Sequence, residues 1–222
     1  MSAPAIAQAN VQHSRTTVAP SLQQAVRRGA QKAPAKTAGW TWATFSGRLT
    51  EFSAGRSSSA LSLSTALVRE AQQLGEPVAW VARPGGSFFP PDAATCGVDL
   101  RALPVIQVHR SIETFKAADH LLRCGSFGLV VLDLPSQVRM PIATQTRLAS
   151  LAHRHNTAVV CLTEKEIAQS SLGSLVSLRA QIDRKSEWDG KRFRCRAKVI
   201  KDKQNGPGWQ HLESFRGSPG LC

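Results

Sequence analysis

Residues 55–62 contain part of a phosphate-binding loop. They read Gly-Arg-Ser-Ser-Ser-Ala-Leu-Ser. The working pattern is G-x-x-x-x-G-K-[ST], in which loop amides cradle phosphate, the lysine reaches the terminal phosphates and the hydroxyl holds magnesium. Gly55 and Ser62 fit this pattern, whereas Ala60 replaces the second glycine and Leu61 replaces the lysine. The segment therefore predicts a nucleotide loop that has lost the groups needed to use a nucleotide. A serine-rich turn that caps an ordinary helix is the alternative interpretation.

Asp133 is a second residue whose position suggests chemistry. It lies at the end of a nearly continuous apolar run in residues 127–134, Phe-Gly-Leu-Val-Val-Leu-Asp-Leu. Open α/β sheets bind ligands beyond the carboxyl ends of their strands, where a magnesium-ordering acid would belong. An aspartate at this place can also cap the following turn. The five cysteines are scattered without a C-x-x-C pair, so we expect reduced thiols in a cytoplasm and no metal site.

Positive charge is concentrated in two parts of the chain. Lys and Arg outnumber Asp and Glu by 28 to 15, a formal net charge of +13. Residues 1–40 hold five basic residues and no acid, which predicts a mobile basic tail before a core domain in residues 41–222. Residues 179–203 hold ten basic residues against four acids. This excess predicts a polyanionic partner, and a basic surface kept for solubility is the alternative.

A stripe of cations is predicted within the second basic region. Arg192, Arg194, Arg196 and Lys198 occupy alternate positions of a strand candidate, so they share one face and form a stripe about 20 Å long. Such a stripe can follow a nucleic-acid backbone. Aromatic residues for base stacking are sparse nearby, so we expect DNA binding without sequence preference.

The elements that position these residues alternate between strand and helix. Apolar patterns predict strands in residues 48–53, 77–82, 105–108, 127–134 and 157–163. Helical patterns lie between them, with Leu74 and Ile112 placed on buried helix faces. After residue 174, apolar and polar residues alternate at every second position. This pattern predicts antiparallel strands in residues 176–183, 192–199 and 209–215. We therefore expect an α/β fold with a mainly parallel sheet, flanking helices and a C-terminal antiparallel extension. No apolar run approaches the roughly 20 residues that a membrane span needs.

The order of these pieces resembles the core of the RecA recombinase over about residues 45–220. The likeness includes the loop region 51–62, Gly97-Val98-Asp99-Leu100, the strand that ends in Asp133, and the basic segment 196–203, Arg-Ala-Lys-Val-Ile-Lys-Asp-Lys. Within that superfamily, residues 88–91 (Phe-Phe-Pro-Pro) and 146–149 (Thr-Arg-Leu-Ala) are similar to ImuA-type proteins. These are RecA-like accessory proteins of damage-induced mutagenesis, encoded with a translesion polymerase.

The resemblance implies a RecA-like core without ATPase activity. RecA-type ATPases carry a catalytic glutamate after the strand equivalent to residues 78–82, where this chain has Arg83. Together with the lost loop lysine, this implies a pseudo-ATPase without a nucleotide cofactor. The segments equivalent to the DNA-binding loops of RecA, 135–142 and 164–173, are short, so we do not expect strand exchange. In RecA, the lysines that match Lys201 and Lys203 reach the ATP of a neighbouring subunit.

These expectations combine into one functional hypothesis. The chain is expected to be a non-catalytic accessory protein of the SOS response and translesion synthesis, in a nucleoid-associated cytoplasmic location. It would be an adaptor or cap that binds DNA, a RecA filament, a translesion polymerase complex or several of these, and self-association is compatible with this role. One alternative is an ATPase with an unconventional phosphate site in which Arg56 replaces the lysine, although its planar fork fits that position poorly. The other is a simple DNA-binding module.

Overall fold

The computed structural model describes residues 39–55, 59–86, 88–135, 137–186 and 192–216. Contacts divide the chain into residues 1–36 and 37–222, and all described residues belong to the second unit. The expected basic tail lies outside the described residues except for its last two positions. Trp40 is one of these, and its ring packs 4.9 Å from Phe45 and 4.8 Å from Phe52. Trp40 therefore belongs to the packed unit.

The described chain alternates helices and strands as far as residue 163 and contains further strands after it. The helices are α1 (Trp42–Phe45), α2 (Ser59–Gln73), α3 (Pro90–Thr95), α4 (Ser111–Cys124) and α5 (Ile142–His155), with a 3-10 turn at Leu100–Ala102. The strands are β1 (Leu49–Ser53), β2 (Val78–Ala82), β3 (Val105–Gln107), β4 (Leu129–Asp133), β5 (Ala158–Thr163), β6 (Leu178–Ser186), β7 (Arg192–Asp202) and β8 (Gln210–Arg216). Each strand expected from the sequence is present.

All eight strands form one mixed sheet in the order β3-β2-β4-β5-β1-β6-β7-β8. The six strands from β3 to β6 are parallel to their neighbours, whereas β7 is antiparallel to β6 and to β8. The predicted α/β class, mainly parallel with a C-terminal antiparallel extension, is therefore confirmed. The predicted connection around Trp188, Asp189 and Gly190 lies outside the described residues.

Two apolar layers hold the sheet between helices. Phe52 and Trp80 point to the layer that contains α2, while Leu49 and Val159 point to the layer that contains α4 and α5. Strands β2, β4 and β5 are buried along their whole length, as their continuous apolar runs predict for parallel strands covered on both faces.

Two predicted core positions are wrong. Leu74 is 60% exposed and Ile112 is 48% exposed, although each continues the apolar spacing of its helix. Leu74 lies just beyond the last residue of α2, where Gly75 adopts φ +78° and ends the helix. Ile112 is in the first turn of α4. Both side chains lie at helix ends, past the part of the helix that packs on the sheet.

No helix in the described ranges is both long and apolar enough to cross a membrane.

Candidate functional site

Gly55, the first residue of the phosphate-loop pattern, follows β1 and contacts an acid. Its φ is +52°, and a Cβ at this position would lie 2.3 Å from Oε1 of Glu166. The Gly55 N–H donates a hydrogen bond to the carbonyl of Lys165 at 3.3 Å. The positive φ favours glycine here, and a larger residue would also require the exposed Glu166 side chain to move. A carboxylate beside the loop also repels phosphate. Arg56, the alternative phosphate ligand, lies outside the described residues.

The other residues of the pattern contact the protein interior. Ala60 is buried in the core, and Leu61 is half-buried and packs against the same cluster. Ser62 hydrogen-bonds to the Cys195 thiol. Burial raises the pKa of that thiol to about 11, against smaller lowering effects from Arg184 and Ser62. The positions that would carry the second glycine, the lysine and the magnesium ligand therefore have packing roles in this fold.

Asp133 lies at the carboxyl end of β4, as predicted, and it faces an arginine. Nη2 of Arg83 is 3.4 Å from Oδ1 of Asp133 and 3.5 Å from Oε1 of Glu164. β2 and β4 are neighbours in the sheet, which brings Arg83, at the end of β2, to Asp133. The guanidinium offsets the negative charge that would attract magnesium. An open cavity of about 370 Å³ adjoins this ion pair, lined in part by Gly85, Phe88 and Val105.

Within the described ranges, no group of three or more His, Cys, Asp or Glu side chains is arranged to hold a metal ion.

A buried charge network under the loop was not predicted from the sequence. Glu51, in the middle of β1, has no exposed surface. It accepts hydrogen bonds from Ser171 Oγ at 2.5 Å, the Leu172 N–H at 3.0 Å and Thr163 Oγ1 at 3.3 Å. Nε of Arg179 lies 3.8 Å from its carboxylate. The polar-apolar alternation of β1 was the available signal, but it did not indicate that both faces are buried.

Arg179 extends this network into the segment 164–173. Its two terminal nitrogens donate to the carbonyls of Gln169 at 2.7 Å and Glu166 at 3.1 Å. Lys165 donates to the Ser170 carbonyl at 3.0 Å, and burial lowers its pKa. The segment that approaches Gly55 is therefore held to the core by buried charged side chains.

The predicted cationic stripe is present on β7. Arg192, Arg194 and Lys198 are exposed and Arg196 is half-buried, while the residues between them are buried. Cross-strand pairing adds two exposed cations, since Lys185 on β6 lies opposite Arg194 and Arg216 on β8 lies opposite Arg192. We call these six residues the basic face. The basic face consists of Lys185, Arg192, Arg194, Arg196, Lys198 and Arg216.

One acid lies among these cations on the described part of the sheet surface. Asp183 is directly opposite Arg196, and its two carboxylate oxygens lie 3.1 and 3.2 Å from Arg196 Nε. Because Arg196 forms this ion pair, the positive charge of the stripe is partly neutralised at this position. Lys198, two residues further along β7, remains exposed.

Lys201 and Lys203 lie at the carboxyl end of β7 and differ in environment. Lys201 donates to the Ser174 carbonyl at 3.1 Å, and burial followed by the nearby charge of Lys203 lowers its pKa. Lys203 is exposed. Asp202 between them is buried and pairs with Arg48 at 2.6 Å. Their expected role toward a neighbouring subunit stays a prediction.

Comparison with protein families gave no matching family model, and comparison with curated proteins gave no match.

Proposed function

We propose that this chain is a non-catalytic, RecA-like accessory protein of damage-induced mutagenesis that binds DNA without sequence preference. In this role it is an adaptor or cap that joins DNA to a RecA filament or a translesion polymerase complex. The observation that carries the proposal is the basic face, where six cations and one acid lie on three adjacent strands.

The basic face supports DNA as the partner because its charge is arranged on a regular surface. Cations at alternate positions of a strand are about 7 Å apart, and neighbouring strands add further rows about 4.8 Å away. Each phosphate that a cation neutralises releases counterions and adds salt-dependent affinity. Leu212 is the apolar side chain exposed among these cations, so base recognition is not expected.

The contacts at the phosphate loop support the absence of catalysis. Glu166 occupies the space beside Gly55, Leu61 packs against the core, and Arg83 faces Asp133. Phosphoryl transfer depends on cations at the phosphates and on a residue that activates water. The RecA-like and mutagenesis parts of the proposal are supported by the loop directly after β1, by Asp133 at the end of β4, and by the sequence segments that resemble ImuA-type proteins.

DNA binding is tested by titrating labelled oligonucleotides of different sequence at several salt concentrations. We expect similar affinities for all sequences and a linear fall of log affinity with log salt. The variant Arg192→Ala/Arg194→Ala/Lys198→Ala should reduce the slope by about 0.9 for each lost phosphate contact. A matched control, Arg101→Ala/Lys116→Ala/Arg154→Ala, removes the same charge from exposed positions elsewhere. Equal losses in the two variants would contradict a binding role of the basic face.

An ATPase is the second candidate, because the open cavity beside Arg83 offers space near Asp133. Equilibrium binding of ATP with magnesium separates the candidates. We expect no saturable binding and no turnover by the purified chain. Tight binding with steady hydrolysis would favour the ATPase and overturn the proposal.

The adaptor role is tested by capture of ATP-loaded RecA filaments and of the translesion polymerase on immobilised protein. We expect Lys201→Ala/Lys203→Ala to lose filament binding and to keep DNA binding, whereas Lys116→Ala/Arg154→Ala should retain both. Binding to DNA but to neither protein would favour the simple DNA-binding module.

A further inference from the structure

Helices α4 and α5 leave an open groove between them, which we call the α4–α5 groove. Its volume is about 340 Å³. Phe115 and Leu148 form its apolar floor and are 5% and 1% exposed, respectively. Ile112, which is 48% exposed, and Ala143 line the end where the two helices begin. From Ile112 to His120 the lining of α4 extends about 12 Å, so the groove has room for about two turns of another helix.

The charged side chains at this groove have a positive balance. Asp119 lines the groove, and its carboxylate is already paired, since Nη2 of Arg147 lies 3.0 Å and Nε of Arg123 lies 3.1 Å from its Oδ2. Lys116 and His120 also line the groove, are one helical turn apart on α4 and are exposed. Three cations against one carboxylate give these five side chains a net charge of +2 when His120 is neutral.

This charge favours an acidic occupant over another part of the same chain. Residues 1–40 hold five basic residues and no acid, so like charge disfavours them in the groove. A second copy, with a formal net charge of +13, is also poorly matched. An apolar floor with cations along its rim is complementary to a segment that carries apolar residues on one side and carboxylates beside them. The first turn of α5 is described and contains no acid, so the positive end of its helix dipole adds to the attraction.

We propose that the α4–α5 groove binds a short, acidic amphipathic helix of a partner protein. Apolar residues three and four positions apart on that helix pack on Phe115 and Leu148, and its flanking carboxylates meet Lys116 and Arg147. Filament contact is assigned to Lys201 and Lys203 and DNA contact to the basic face. The partner at the groove is therefore a further protein, and this inference does not rest on the proposed function.

Selection of random peptides on the immobilised full chain tests the occupant, because the N-terminal residues are then present as competitors. Peptides of about 12 residues can form about three helical turns. We expect the enriched peptides to combine apolar residues at i, i+3 or i+4 spacing with Asp or Glu beside them. A selection that enriches no peptides, or peptides without acidic residues, would overturn the proposal.

A bulky side chain in the groove tests where these peptides bind. Ala143→Trp fills the groove with an indole and should weaken binding of an enriched peptide by about tenfold or more. Ala94→Trp is the matched control, because Ala94 is exposed on α3, which packs on the α2 side of the sheet through Ala93. Circular dichroism establishes that both variants fold. Equal affinity of the peptide for the two folded variants would exclude the groove as its site.

Charge reversal tests the acidic character of the occupant. One enriched peptide is compared by fluorescence anisotropy with its counterpart in which lysine replaces each acidic residue. Lys116→Glu should weaken the acidic peptide about tenfold and strengthen the lysine peptide. Arg101→Glu is the control, since it reverses a charge on the other side of the sheet, where Asp99 bonds to Gln72 of α2. An acidic peptide that loses equal affinity in both variants, or in neither, would contradict charge recognition at the groove.

Sedimentation of the full chain distinguishes a different protein from a second copy as the occupant. We expect the unmodified chain and Ala143→Trp to have the same oligomeric state at every concentration. A dimer that dissociates when Ala143→Trp is introduced would place a second copy in the groove, and the proposal would then be wrong.

Discussion

Charged side chains at the carboxyl ends of the parallel strands are mostly buried or partly buried, whereas most of those on the basic face are exposed. Glu51 with Arg179 and Asp133 with Arg83 are buried or partly buried pairs. On β7, Arg192, Arg194 and Lys198 are exposed. Both regions look polar in the sequence, but only the second has most of its charged side chains exposed.

The difference follows from how each region is covered. A buried charge must be paired and hydrogen-bonded, because its desolvation otherwise costs several kcal/mol. Exposed cations carry little such cost and gain free energy when they meet a polyanion. Charge in the first region therefore stabilises the fold, and the exposed charge of the second region is expected to contribute more to binding a polyanion than to stability. Substitutions should separate these two roles.

The largest effect is expected at Glu51. Replacing it with alanine leaves Arg179 buried without its carboxylate, which should lower the free energy of unfolding by about 3–5 kcal/mol. Urea denaturation measures this. Glu164→Ala is the control, because its pair with Arg83 at 3.5 Å is largely exposed and should contribute less than about 1 kcal/mol. Similar losses in the two variants would contradict the contrast between the regions.

A double variant sharpens the same test. Glu51→Ala/Arg179→Ala removes both charges, so its loss of stability should be smaller than the sum of the two single losses. Additive losses would mean that the two side chains are not coupled.

The sequence predicted β7 well because an antiparallel strand with one exposed face shows a period of two in residue type. β1 has a similar alternation, yet all five of its residues are buried. The position of β1 between β5 and β6 explains why it is buried. The residues of a strand do not by themselves show which strands lie beside it. The sequence therefore predicted the existence of β1 but not the buried network around Glu51.

Contacts between distant positions were also beyond sequence reasoning. Arg83 and Asp133 meet because β2 and β4 are adjacent, although 50 residues separate them along the chain. The sequence showed the departures from the phosphate-loop pattern. It did not show the contact of Glu166 with Gly55, because that contact depends on how residues 164–173 fold. Exposed Leu74 and Ile112 show that apolar spacing does not indicate where a helix leaves the sheet.

The second largest effect is expected at Asp202. Burial would raise the pKa of this carboxyl, but hydrogen bonds from the Gln204 N–H, Arg48 and the Asn205 N–H lower it overall. Its contribution to stability is therefore complete above the ordinary aspartate pKa, about 3.9, and is lost as pH falls through the lower folded-state pKa. Asp202→Asn should cost about 2 kcal/mol at pH 7. The difference in unfolding free energy between Asp202→Asn and the unmodified chain should become smaller in acid, as measured by urea denaturation at several pH values. A difference that is constant with pH would contradict the assignment.

A smaller effect is expected when the missing loop lysine is introduced. Leu61→Lys should reduce stability by about 1 kcal/mol, because it removes a half-buried apolar side chain from the core. It should not create ATP binding, since Glu166 still lies beside Gly55. Leu74→Lys, at an exposed position, should change stability by less than about 0.5 kcal/mol. ATP binding by Leu61→Lys would show that the loop retains a functional phosphate site.

The smallest effect is expected on the basic face, where Asp183 forms an ion pair with Arg196. Asp183→Asn removes the negative charge that opposes the cations and frees the guanidinium, so DNA affinity should increase about threefold and the salt slope should rise by up to about 0.9. Fluorescence anisotropy at several salt concentrations measures both quantities. Lys198→Ala should lower the slope, whereas Arg196→Ala should lower it less, because Arg196 is already paired. If Asp183→Asn left both quantities unchanged, DNA would not lie over this part of the sheet, and the contrast between internally paired and available charge would not extend to β7.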